Sequence, residues 1–431
     1  MNKSILIISY YFPPIKAIGG IRTYNFTKYL SIKGWETTVF TTSTWKFLDN
    51  ESFFSKLKNT KYVYIPSFDL QVIRKIFKSG KTTNKSTASN NFDNDISKTS
   101  FMQKIRNSFP FNISYEGGFI YIVFGVIYGL YYVKRHKIKY IYSTFSPNAN
   151  HIVAYIIKIL SPNIYWVADF RDLPYGDSEA KLFMKNFHLS LNKKIYTKSD
   201  AIITVSEGLK NTICKYNNNI HVINNGVDLN IKEFIHTENK TNFFNIVYTG
   251  SLYAGKRDAE LLFKVVHKLK NSKNLQNIRL IYAGRDGNIW KYWSEKYNLQ
   301  ENVIIHSLLN TEEVKKIQSG ASINLMLTWS TKKEKGILTG KFYEYLSYSK
   351  PIICMVNGDK DNEIEEKFTK LNCGLVVYSD EKKLSQYIED YFQQWQQSKF
   401  VSISYNKYEL EKYTSKYLTN ELENILLKAD R

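Results

Sequence analysis

The feature that most constrains this chain is an alternation of hydrophobic period: strand-length apolar runs take turns with helix-length segments, in two successive series. Ser4–Tyr10 is a nearly continuous apolar run, as expected of a parallel strand covered on both faces. A loop with Pro13, Pro14, Gly19 and Gly20 follows, then a helical segment from about Ile21 to Lys33, closed by Gly34. Further strands are predicted at Thr37–Thr42, Tyr62–Pro66, Tyr140–Ser143, Ile164–Ala168, Ala201–Val205 and His221–Ile223. The second series comprises Asn245–Gly250, Ile278–Ala283, Val303–His306, Ile323–Leu327, Pro351–Val356 and Leu375–Tyr378. Such alternation implies an α/β fold, with parallel sheets carrying helices on both faces.

The boundary between the series falls after the turn signal Asn224-Asn225-Gly226, in a polar stretch. The predicted domains are residues 1–227 and 244–405, with a hinge over 228–243 and a C-terminal helix over 406–431. Length agrees, since 431 residues suggest two domains. Cys214, Cys354 and Cys373 have no metal-type spacing, which fits a reducing compartment. The first apolar stretch, Ile5–Phe12, is too short for a signal peptide and runs into Pro13-Pro14, so a cytoplasmic location is expected. Lys78–Lys104 is rich in Ser, Thr, Asn and Lys and is expected to be a surface insertion. Phe119–Val133 carries no charge. It is shorter than the roughly 20 residues needed to span a bilayer, leaving a helix buried on the sheet or one that dips into a membrane.

The net charge of +21 permits nucleic acid, an anionic membrane surface or phosphorylated small molecules as partners. The lysines are spread along the whole chain, and no zinc-finger or RNA-binding signature accompanies them. Four constellations fall at strand ends, where open α/β sheets bind ligands. Gly19-Gly20 lets backbone N–H groups approach a phosphate, or is a plain loop. Asp169, Arg171 and Asp172 cluster after a strand as site residues or as a salt-bridged strand end; His151 is a site residue or a capping histidine. Lys256 and Arg257 precede a helix, an unfavourable place for cations unless an anion joins them. Lys341 and Glu344 share one helix face, for phosphate and ribose respectively or as a surface ion pair.

These segments in order resemble the bacterial family-four glycosyltransferases of GT-B fold, polysaccharide and O-antigen branch. The resemblance rests on residues 9–42, on ADFRDLP at 168–174, and on AIITVSEGLK followed by NNGVD at 201–228. VYTGSLYAGKRD at 247–258, IYAGRD at 281–286 and KFYEYLSYSKPI at 341–352 complete it. It implies two Rossmann-like domains facing a central cleft, a nucleotide-sugar donor linked to UDP or GDP, and retention of anomeric configuration. The branch implies a lipid-linked saccharide acceptor, and peripheral association with the inner face of the cell membrane. By position it places Gly19 and Gly20 at the donor diphosphate, Lys256 at the departing diphosphate and Glu344 at the donor ribose; Arg257, as a substitute for a missing arginine, and Lys341 are read beside them as donor-binding residues. Asp172 joins Lys256 as a catalytic residue, and Asp169, Arg171 and His151 fall on the acceptor side. The arginine that often accompanies the lysine would fall on Ser251. The first glutamate of the family's Glu-(seven residues)-Glu motif would fall on Gly336.

No resident cofactor and no metal are expected. Asp93-Asn94-Asp95 has Asp-x-Asp spacing, but inside the polar insertion and away from any strand. The alternatives are a nucleotide-sugar epimerase of similar shape, which needs an acid/base pair flanking the sugar, and a non-enzymatic nucleic-acid-binding protein. Nucleic acid is not expected as a partner of the enzyme.

Overall fold

In this computed structural model, residues 3–13, 18–43, 57–67, 118–172, 182–230, 240–253, 255–273, 275–332 and 334–428 are described. The expected Lys78–Lys104 insertion, Asp93 and Asp95 lie outside them, as does most of the expected hinge. By their contacts the residues fall into two compact units. One comprises Met1–Val205, Leu209–Asn224 and Leu418–Arg431; the other comprises Ser206–Gly208 and Asn225–Tyr417.

The first unit holds a seven-stranded sheet in the order β3-β2-β1-β4-β5-β6-β7. Its strands are β1 (Ser4–Ile8), β2 (Glu36–Thr42), β3 (Thr60–Ile65), β4 (Tyr140–Thr144), β5 (Tyr165–Phe170), β6 (Ala201–Thr204) and β7 (Ile220–Val222). All pairs are parallel, with Ile5 opposite Thr37 on one side and Tyr140 on the other. Alternate residues of β1 feed different cores. Leu6 and Ile8 join Trp166 and Ile141, whereas Ile5 and Ile7 join Trp35 and Val39. Burial of both faces is why the run reads as continuously apolar.

The Gly118–Arg135 helix packs on the Ala149–Leu160 helix through Gly125 and Gly129, where a Cβ would collide with Val153 and Ile157. No described helix is long and apolar enough to cross a membrane. The expected single C-terminal helix is two, Lys407–Glu411 and Ser415–Leu427. The break occurs where Val227 N–H donates to the Tyr413 carbonyl at 2.9 Å and Ser415 N–H donates to the Val227 carbonyl at 2.8 Å. From Leu418 onward the second helix packs into the first unit, with Leu418, Leu422 and Ile425 in its core. There Glu423 meets Lys33 at 2.6 Å and accepts from the Trp35 indole at 2.8 Å.

The second unit is a six-stranded parallel sheet in the order β10-β9-β8-β11-β12-β13. It comprises β8 (Phe244–Thr249), β9 (Ile278–Ala283), β10 (Val303–His306), β11 (Ile323–Ser330), β12 (Ile352–Gly358) and β13 (Gly374–Val377). Leu325 and Leu327 face one core and Met326 the other. The order reverses between β8 and β11, and in the first unit between β1 and β4. Crevices at such switch points, beyond the carboxyl ends of the strands, are where this architecture binds ligands.

Candidate functional site

At the β8/β11 switch point the second unit gathers three cations. Gly250 follows β8 with φ +125°, a backbone that side chains rarely adopt, and the Lys341 ammonium occupies the space its Cβ would need. Lys341 comes from the Gly340–Tyr345 helix, and its ammonium also lies 5.9 Å from the Tyr248 ring centroid. Arg257 is buried; its Nη1 donates to the Ser251 carbonyl at 3.1 Å, and its guanidinium stacks 4.3 Å from the Tyr253 ring. Lys256 is exposed and sits 4.9 Å from the half-buried Trp329 ring. Its nearest carboxylate is Glu334, at 3.9 Å.

The loops are fixed by polar groups that sequence reasoning passed over. The Asp286 carboxylate accepts from Leu252 N at 2.6 Å. The Tyr282 hydroxyl donates to the Gly250 carbonyl at 2.9 Å and accepts from Asp286 N at 2.8 Å. Gln318 donates to Thr249 Oγ1 at 2.9 Å and to Glu344 Oε2 at 3.5 Å, and accepts from the Tyr348 hydroxyl at 3.1 Å. The presence of Asp286 in IYAGRD hinted at its role; Gln318 gave no signal.

No carboxylate among the described residues lies within ion-pair distance of Lys341, so the Lys341–Glu344 surface pair is not formed. Burial, then repulsion by Arg257, pushes the Lys341 ammonium down from 10.5 to about 8. The Glu344 carboxylate reaches solvent. Even so, crowding around it raises its proton affinity, with Lys341 and Gln318 opposing. Gly336 is explained by its setting. Its φ is +70°, its N–H donates to Asp361 at 2.7 Å, and the Glu363 carboxylate fills the place of any side chain.

In the first unit the glycines lie inside the Ile18–Ile32 helix rather than in a loop before it. A Cβ on Gly20 would strike the Tyr11 carbonyl, and Gly19 is held by Arg171, whose Nη1 donates to its carbonyl at 2.8 Å. Arg171 Nε also donates to the Phe145 carbonyl at 2.5 Å. Asp169 is fully buried and pairs with Arg22, a residue the sequence reading did not single out, through Nε at 2.9 Å and Nη2 at 3.3 Å. The Tyr142 hydroxyl also donates to Asp169; burial and that carboxylate keep the phenol protonated. Arg22 further donates to the carbonyls of Ile223 and Asn224.

His151 is likewise buried. Its Nδ1 lies 2.8 Å from Ser143 Oγ, its ring tilts 4.3 Å from Phe170, and burial depresses it to about 3, so it is neutral. Asp172 is exposed just beyond β5. Thus Lys256, Arg257, Lys341 and Glu344 gather in one unit, and Gly19, Arg171 and Asp169 in the other, with His151 in the core beneath. Asp169 and His151 present no surface to a ligand as they stand. Among the described residues no group of three or more His, Cys, Asp or Glu is placed to hold a metal.

Two Rossmann-like units with these sheet orders define the GT-B class of fold, and solved structures agree. Sucrose-phosphate synthase from Thermosynechococcus elongatus is similar at TM-score 0.60 and 12% identity, over 99% of this chain and 98% of that one. The lipopolysaccharide outer core galactosyltransferase WaaB in its apo form is similar at TM-score 0.56 and 13% identity, over 99% of each chain. WaaG, a glycosyltransferase involved in lipopolysaccharide biosynthesis, is similar at 0.52 and 12%, over 98% and 99%. At the level of sequence, residues 122–231 match the family model Glycosyltransferase Family 4. A search of the curated proteins gave no match.

Proposed function

We propose that the protein is a retaining glycosyltransferase that moves a sugar from a UDP- or GDP-linked donor to a saccharide acceptor. The observation that carries this reading is the convergence of Lys256, Arg257 and Lys341 at the β8/β11 switch point, with one exposed carboxylate, Glu334, 3.9 Å from Lys256 as its ion-pair contact. A diphosphate supplies the missing anion. As the glycosidic bond to the donor breaks, negative charge accumulates on the leaving diphosphate, and preorganised cations stabilise that charge. Lys256, the most exposed of the three, can exchange its 3.9 Å contact with the exposed Glu334 for that anion; Arg257 and Lys341 are held in place. Glu344, oriented by Gln318, accepts hydrogen bonds from the ribose. Asp172 and Arg171 form the acceptor side, with Asp169 and His151 as buried positioning residues beneath them. The match to Glycosyltransferase Family 4 and the likeness to WaaB and WaaG favour a lipid-linked acceptor in cell-surface polysaccharide synthesis.

The test is a thermal-shift series with UDP, GDP and their sugars, because a ligand selective for the folded state raises its apparent stability. A Tm rise confined to one base identifies the donor class. No response to any nucleotide, together with salt-sensitive binding of DNA or RNA, would sink the proposal in favour of the nucleic-acid reading. Conversion of the donor sugar to its epimer in the absence of an acceptor would select the epimerase instead.

A further inference from the structure

We infer that Glu334 makes the donor site discriminate between substrate and product: its carboxylate disfavours the free nucleoside diphosphate against the ester from which it forms, and so promotes product release. This inference rests on the donor reading above. The Glu334 carboxylate lies 3.9 Å from Lys256, and both side chains reach solvent, 44% exposed for Glu334 and 56% for Lys256. The oxygen that faces Lys256, Oε2, also accepts from the Trp329 indole N–H at 3.1 Å. The same indole ring lies 4.9 Å from the Lys256 ammonium, so one side chain touches both charges. An ion pair this exposed contributes little to folding. Its consequence is for what binds there.

Glu334 does not depend on Lys256 for its place. β11 ends at Ser330 and the chain turns at once. Thr331 N–H donates to the Glu334 carbonyl at 3.0 Å, and Glu334 N–H donates to Thr331 Oγ1 at 3.1 Å. Lys256 is anchored separately, by Asn357 Nδ2 donating to its carbonyl at 3.3 Å. When Lys256 takes an anion, the turn and the indole therefore keep the carboxylate beside it. A phosphate oxygen on the Lys256 ammonium, at a charge-assisted length of about 2.8 Å, lies within about 7 Å of Glu334 Oε2. That is inside the roughly 8 Å screening length of physiological salt.

Charge sets the direction of the selection. In the donor, the sugar esterifies the terminal phosphate, and each phosphate carries a single negative charge. When the bond from the sugar to the terminal oxygen breaks, that oxygen keeps the electron pair and the sugar passes to the acceptor. A free terminal phosphate has a second pKa of about 6, so at about pH 7.5 the product carries nearly one further negative charge. Lys256, Arg257 and Lys341 attract both species and favour the more highly charged one. The Glu334 carboxylate repels that further charge and offsets the preference, an unfavourable contact aimed at the wrong ligand. Part of the stabilisation of the leaving diphosphate is given up so that the product does not occupy the site.

The test is isothermal titration of the full chain at about pH 7.5 with UDP, with GDP, and with each nucleotide methylated on its terminal phosphate. The methyl esters carry the donor's charge without committing to a sugar. Glu334→Gln should tighten the free diphosphate about fivefold and its methyl ester at most about twofold. Trp329→Phe keeps a ring beside Lys256 and removes the N–H that holds Glu334; it should move both affinities the same way by less. Unaltered melting curves keep folding out of the comparison. Equal changes for diphosphate and ester in Glu334→Gln, or no change in either, would overturn the inference and leave the donor reading standing. A wild type that binds none of the four ligands would overturn the donor reading and this inference with it.

Discussion

The two units place charged residues at equivalent points of equivalent sheets, yet treat them in opposite ways. In the first, Arg22 meets Asp169 in a buried two-point pair that Tyr142 and two backbone carbonyls complete. In the second, Lys256, Arg257 and Lys341 converge with one exposed carboxylate, at 3.9 Å, as their nearest acidic contact. A charge whose partner is built in can only hold the fold together. An ammonium whose proton affinity is lowered by burial and by a neighbouring cation, as that of Lys341 is by Arg257, is one that an anionic ligand would stabilise.

The largest effect should come from breaking the neutralised cluster. Removing one partner of a buried pair leaves an uncompensated charge and costs about 3–5 kcal/mol. Arg22→Ala should therefore lower the urea midpoint strongly, and Asp169→Ala likewise. A double variant with Leu at position 169 and Met at position 22 should recover part of the loss. If Arg22→Ala melts like the wild type, the pair is not structural and the contrast collapses. Next comes the open cluster, where the expected effect is on function. Lys256→Ala should lower turnover at least about tenfold, roughly 1.4 kcal/mol of transition-state stabilisation. Its stability should stay within about 0.5 kcal/mol of the wild type, as for other exposed positions. Unchanged turnover in a folded Lys256→Ala protein removes Lys256 from the site.

Much of this arrangement is legible in the sequence, and what is not has physical causes. Every predicted strand is present; burial on both faces writes the central ones as unbroken apolar runs such as Ile5–Ile8 and Leu325–Leu327, whereas the edge strands β3, β7 and β10 are only partly buried. Lys256, Arg257, Lys341 and Glu344 were visible because their glycine-bearing loops sit next to strand ends. Arg22 was not, since nothing local marks a helical arginine whose carboxylate partner lies 147 residues away. His151 misled for the same reason: its polarity was plain, its enclosure by Ser143 and Phe170 was not. Gly336 read as a departure from a motif. Its positive φ and the Glu363 carboxylate beside it are properties of the folded chain alone.

A smaller effect distinguishes the clusters by pH. Lys341 titrates near 8 in the folded protein, against 10.5 ordinarily, so the folded state loses this proton first. Between those values the unfolded chain binds more protons, and the group's contribution to stability rises with pH. Diphosphate binding runs the other way, because it requires the ammonium. Affinity for UDP or GDP should fall by up to about tenfold between about pH 7 and pH 9. Lys341→Arg, which stays charged throughout, should flatten that profile. A wild-type profile that is already flat would show that Lys341 does not meet the anion.

The smallest effect concerns Glu344, the carboxylate that Gln318 ties to the open cluster. Glu344 reaches solvent, so a hydrogen bond from a ribose hydroxyl is partly exchanged for one from water. Its contribution should resemble that of an exposed charged contact, about 0.5–1 kcal/mol, and Glu344→Gln should weaken nucleotide binding roughly threefold. Gly336 bears no side chain and its space is filled by Glu363, so no second carboxylate from that position shares the ribose. The sharper measurement pairs the variant with a 2′-deoxyribose nucleotide. If Glu344 accepts from the 2′-hydroxyl, removing that hydroxyl weakens binding to the wild type but much less to Glu344→Gln, since the two changes delete the same contact. Equal losses on both proteins would mean that Glu344 does not read that hydroxyl. Its remaining role would be structural, in the Thr249–Gln318–Tyr348 network beneath it.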